Sequence, residues 1–227
     1  MQDNNQPHGN DNVVSFRRKT PDGREPLINL PPFTKILLLL ILGIQLGISL
    51  LDEPTQFWIM EHFGFTPAYY TGAIPFDWPA LAGPLTFSFI HGGWAHALIN
   101  GVMLAAFGAG LEPWMGWRRM AILMLGCGIF SILVQLGVSF GSTNPVIGAS
   151  GALSGLFAAA IIMMQERSGM RPPGRFGYWP LILIWVGSAA LFGVIGGPQG
   201  ETVAWPAHIG GFLAGFVLYR PVMRFKV

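Results

Sequence analysis

The stretch TNPVIGASGALSGLF, residues 143–157, sets Ser150 between Ala149 and Gly151, with Gly148 just before them, at the head of an apolar run. Elsewhere HGGWAHALIN carries His91, His96 and Asn100, and AHIGGFLAG carries His208, Gly211 and Gly215. A hydroxyl, imidazoles and a carboxamide are what acyl transfer requires: a nucleophile, a proton acceptor and donors for a developing oxyanion. They do this chemistry only when held against one another, so elements far apart in sequence must bring them together.

Taken singly, each residue has an ordinary structural explanation. A serine at a helix start is a common N-cap, glycine faces pack membrane helices closely, and a lone histidine bridges helices by hydrogen bonding. A soluble serine hydrolase is disfavoured, since the GxSxG elbow is not matched and no strand precedes Ser150. Cys127 is the single cysteine and lies in an apolar run, so there is no intramolecular disulfide and no CxxC metal site. No metal or cofactor is expected, and the net charge of +2 gives no indication of nucleic acid.

The composition fixes the setting. Of 227 residues 52% are hydrophobic and 11% charged, against roughly 25% charged in soluble domains, which indicates an all-α membrane protein. Residues 1–32 read as a flexible polar cytoplasmic tail and 33–227 as the folded domain. The first apolar run begins at Ile36, without a small-residue cleavage site after it, and reads as an uncleaved span. Five more follow near 94–111, 120–140, 150–165, 179–196 and 204–220, several shorter than the roughly 20 residues of an average span. If six helices alternate in direction, all thirteen Lys and Arg fall on one side, while Asp52, Glu53, Glu61, Asp77 and Glu201 fall on the other. The positive-inside rule then puts both termini in the cytoplasm. The aromatic, proline-rich connection from about 52 to 90 is expected to lie partly embedded beside the bundle, as an interfacial anchor or as an element gating substrate entry.

In that topology His91, His96, His208 and Ser150 share one depth at the non-cytoplasmic ends of helices 2, 4 and 6. Ionisable groups at membrane depth are costly and face a cavity or one another. His96 and Asn100, four apart, project from one helix face, and Gly151 and Gly155 on helix 4 can meet Gly211 and Gly215 on helix 6 closely enough to bring Ser150 to His208. A transporter or channel would call for charged groups within the spans or matched repeats, and neither is present.

The three motifs resemble those of the rhomboid intramembrane serine proteases: GxSG at Gly148–Gly151, HxxxxHxxxN at His91, His96 and Asn100, and AHxGGxxxG at His208 and its glycines. They occur in the family's order, and the resemblance spans about residues 33–220. It implies a six-helix bundle in which Ser150 is the nucleophile and His208 the base, a dyad. His96, Asn100 and the Ser150 amide would hold the oxyanion, with His91, Gly148, Gly151 and Gly211 supporting and Glu112 a structural residue at the cytoplasmic end. The implied substrates are single-span transmembrane proteins cut at small or helix-destabilising residues. A catalytically silent relative that binds transmembrane clients is the alternative. The connection after helix 1 lacks the Trp-Arg pair of some members. Length, resemblance and the absence of a transit-like leader point to a bacterial-type plasma (inner) membrane, with lipid as a partner and the site open to the non-cytoplasmic side.

Overall fold

Backbone in hydrocarbon must satisfy its own hydrogen bonds, so apolar runs of this length become helices. The computed structural model describes residues 29–168, 179–195 and 204–225. Among these it contains α1 (Pro32–Ser49), α2 (Glu53–Phe63), α3 (Pro67–Thr71), α4 (Gly83–Thr86), α5 (Trp94–Met115), α6 (Trp117–Val138), α7 (Ser150–Ser168), α8 (Trp179–Ile195) and α9 (Trp205–Arg224), with short 3-10 turns on either side of α4. Three of them, α1, α5 and α6, are long and apolar enough to cross a membrane by length and composition. Their outward faces carry exposed Leu39, Leu46, Leu98, Val102, Leu125 and Leu133. The basic tail, Arg171, Arg175, Glu201 and Lys226 lie outside the described residues.

The centre of the bundle is α7, packed between α5, α6 and α9. Its residues 151–156, 158, 159 and 161–163 are buried, so it has no polar face to give it amphipathic periodicity. Small residues allow this crowding: an added Cβ at Gly211 would fall on the Gly151 carbonyl oxygen, and one at Gly215 on the Gly155 carbonyl. The close approach expected of α7 and α9 is therefore backbone against backbone. At the far end of the bundle α5, α7 and α9 are tied by Trp114 Nε1 donating to the Tyr219 hydroxyl (2.9 Å), which donates to Glu166 Oε2 (2.8 Å).

Glu112 lies inside the last turn of α5 rather than just beyond the helix, because its charge is satisfied where it stands. Its buried carboxylate accepts from the amides of Phe33 (3.0 Å) and Thr34 (2.7 Å) and from Thr34 Oγ1 (2.7 Å). These amides open α1, whose N-cap residue, Pro31, supplies no side-chain cap. A carboxylate from another helix thus serves as the cap and complements the helix dipole.

The connection from 52 to 90 is ordered: α2, α3 and α4 fold over one end of the bundle. Its interior is polar as well as aromatic. His62 Nε2 lies 3.0 Å from Asp77 Oδ2 and His62 Nδ1 2.9 Å from the Trp58 carbonyl, while the Tyr69 hydroxyl donates to Glu61 at 3.1 Å. Backbone bonds join it to the segment before α7. Phe65 and Val146 exchange two of them (2.9 and 2.8 Å), and Ala68 N donates to the Ser142 carbonyl, as Gly148 N does to that of Phe87 (both 2.9 Å).

Candidate active site

The sequence around Ser150 forces a sharp entry into α7. Gly148 has φ +100°, a region that side chains rarely adopt, and a Cβ there would lie 2.6 Å from His96 Nε2. The turn is fastened by Gly148 N to Phe87 O, and the Ala149 amide lies 3.5 Å from His91 Nε2. The helical ladder begins with Leu153 N donating to Ala149 O at 2.9 Å. The amides of Ser150 and Gly151 precede it, so no carbonyl inside the helix pairs with them.

One cavity of about 850 Å³ gathers His96 and Asn100 from α5, Gly148, Ser150 and Gly151 from the turn and α7, and His208 from α9. His91 and Gly211 do not line it. His91 is buried behind the turn, with its ring against His96 at 4.9 Å between centroids, and Gly211 seats α9 on α7. His91 also precedes α5 rather than riding on its end, because Gly92 and Gly93 interrupt the helix before Trp94.

Asn100 is buried and its Nδ2 donates to the His96 carbonyl at 2.9 Å, while Oδ1 has no partner among the described residues. A carboxamide nitrogen carries two hydrogens, so one remains to be donated. His208 is half-buried, with the Ala204 backbone beside its ring. No hydrogen bond reaches its Nδ1 from the described residues.

Several lining residues escaped the sequence reading. From α6, buried Ser131 reaches the cavity, its hydroxyl donating to Gly128 O at 2.7 Å. Trp185 and Ser188 come from α8, and Glu53, Gln56, Phe57 and Met60 come from α2. Ser131 and the α2 residues carry no motif, and only packing shows that they belong here.

The Rhomboid domain matches residues 81–225. The chain belongs to the rhomboid family. This rhomboid is 32% identical over 129 residues to RHOMBOID-like protein 5 of Arabidopsis thaliana, covering 57% of this chain and 40% of that one. It is 30% identical over 137 residues to Rhomboid-type serine protease 2 of Emericella nidulans (60% and 26%) and 33% identical over 146 residues to Rhomboid-like protease 5 of Toxoplasma gondii (61% and 16%). It thus spans well under half the length of each of these three relatives.

Proposed function

We propose that this rhomboid is an intramembrane serine endopeptidase that cuts transmembrane segments of single-span proteins through an acyl-enzyme on Ser150. It crosses a plasma-type membrane six times, through α1, α5, α6, α7, α8 and α9. Both termini are cytoplasmic and the cavity opens to the non-cytoplasmic side, beneath the embedded α2–α4 connection. The observation that carries this reading is the shared cavity: a hydroxyl, an imidazole, two further donors and a helix N-terminus converge there from α5, α7 and α9.

The chemistry follows from those positions. Ser150 Oγ attacks the scissile carbonyl carbon as His208 takes its proton. The oxyanion is held by the Ser150 amide, the second Asn100 Nδ2 hydrogen and His96, at the positive end of the α7 dipole. When the intermediate collapses, the C–N bond breaks, the leaving amine takes the proton from His208, and the acyl group stays on Ser150. Water, activated by His208, then attacks the ester and returns the serine. His208 works as one half of a dyad, its Nδ1 meeting no carboxylate among the described residues.

The test incubates purified protein, in detergent and in liposomes, with a generic single-span substrate, comparing wild type with Ser150→Ala. Cleavage by wild type and none by the variant is the expected result. Equal cleavage by both overturns the assignment of Ser150. No cleavage by folded wild type, together with no fluorophosphonate labelling of Ser150, leaves a rhomboid-like protein that binds clients without cutting them.

A further inference from the structure

Gln135 is a buried polar residue of α6, and the chemistry above makes no use of it. Its Nε2 donates to Ser139 Oγ at 2.8 Å, which fixes the rotation of the carboxamide and leaves Oε1 facing α9. There Oε1 accepts the Ala207 amide at 3.3 Å. Ala207 lies in the first turn of α9 and immediately precedes His208. The same amide also donates to the Ala204 carbonyl at 3.0 Å, so Gln135 Oε1 is the second acceptor of a shared bond, and the one that comes from another helix, at an N-terminus whose cap residue, Ala204, has no side-chain oxygen. In the turn of α6 that leads up to Gln135, Ser131 and Val134 press on Gly210, where an added Cβ would lie 2.8 Å from Val134 Cβ. The start of α9 is thus held against α6 by packing and by one tertiary cap.

We infer that Gln135 is a positioning residue, whose carboxamide oxygen caps α9 at Ala207 and so sets where the His208 imidazole stands relative to Ser150. This rests on the dyad reading of the preceding section. A loss of about 1 Å in alignment is worth about 10²-fold in rate, whereas substrate affinity depends on the rest of the cavity.

The experiment compares wild type, Gln135→Leu and Gln135→Glu in the full chain. Leucine removes the acceptor at similar volume, and glutamate retains an oxygen at the same reach. Three quantities are read per folded molecule: kcat and KM on a transmembrane substrate, and hydrogen exchange at the Ala207 amide. The leucine variant is expected to lose about 10²-fold in kcat with KM nearly unchanged. Its Ala207 amide should exchange about fivefold faster or more, and glutamate should largely restore both. Wild-type kcat and exchange in the leucine variant overturn the inference. So does a loss that glutamate fails to relieve, or one confined to KM. If wild type proves inert, the dyad reading fails, and the exchange rate still decides whether Gln135 caps α9.

Discussion

A methyl group at Gly211 would occupy the place of the Gly151 carbonyl oxygen. Backbone on one side and a glycine on the other leave no flexible side chain to yield, so Gly211→Ala must drive α9 from α7 and carry His208 away from Ser150. Overpacking of this kind costs about 1–3 kcal/mol. A clear fall in melting temperature and a larger fall in turnover per folded molecule are expected. Gly43, exposed on α1 with nothing within 4 Å of an added Cβ, is the control. If Gly43→Ala and Gly211→Ala behaved alike, the contact would not matter.

Asn100 separates oxyanion stabilisation from packing. Removing one such donor costs about 10² to 10³ in turnover in other acyl-transfer enzymes. Asn100→Ala is therefore expected to turn over slowly while its serine still reacts with a fluorophosphonate. Turnover that stays normal while thermal stability drops would make Asn100 a residue that holds α5 together.

Glu112 acts at the opposite end of the bundle. Glu112→Ala leaves two amides and a hydroxyl of α1 unpaired, each loss worth about 1–3 kcal/mol. Thermal unfolding in detergent is expected several degrees lower, with KM unchanged at temperatures where the protein remains folded. A variant as stable as wild type would mean that the cap is redundant.

His62 tests what the α2–α4 connection does. His62→Leu removes the contacts to Asp77 and the Trp58 carbonyl, and Asp77 is exposed enough that its share is small. Since backbone bonds carry this segment to Val146 and Gly148, a looser connection is expected to slow fluorophosphonate labelling of Ser150 severalfold. Unchanged labelling in a destabilised variant would restrict the connection to anchoring.

The residues that converge on the cavity were legible because each sits in a motif with a chemical reason for its spacing. His96 and Asn100 are one helical turn apart, and small residues at one turn's spacing on α7 and α9 announce close contact. Less was visible where the partner is remote or has no side chain. Gln135 reaches 72 residues ahead, and the Phe65–Val146 pairing is made by backbone that any residue supplies. The apolar stretch carrying His96 stops near 111, with the charge of Glu112 next, yet the helix continues to Met115. A charge ends a buried helix only when nothing neutralises it, and here α1 does. The displacement of His91 from α5 did have a signal, the Gly92–Gly93 pair, a strong local breaker.

The arrangement of α7 also bears on how the chain is assembled in the bilayer. It is enclosed by α5 and α6, which precede it, and by α9, which is synthesised later. In the six-span arrangement proposed above, one flank of α7 faces lipid or a chaperone until α9 arrives. Below Ser150, that flank is lined by Gly151 and Gly155, whose carbonyls bond within their own helix, so these two positions strand no polar side chain in hydrocarbon. A leucine-rich flank would wait as comfortably but would bar the later backbone contact. Glycine makes the unfinished protein tolerable to the membrane and leaves α9 a seat.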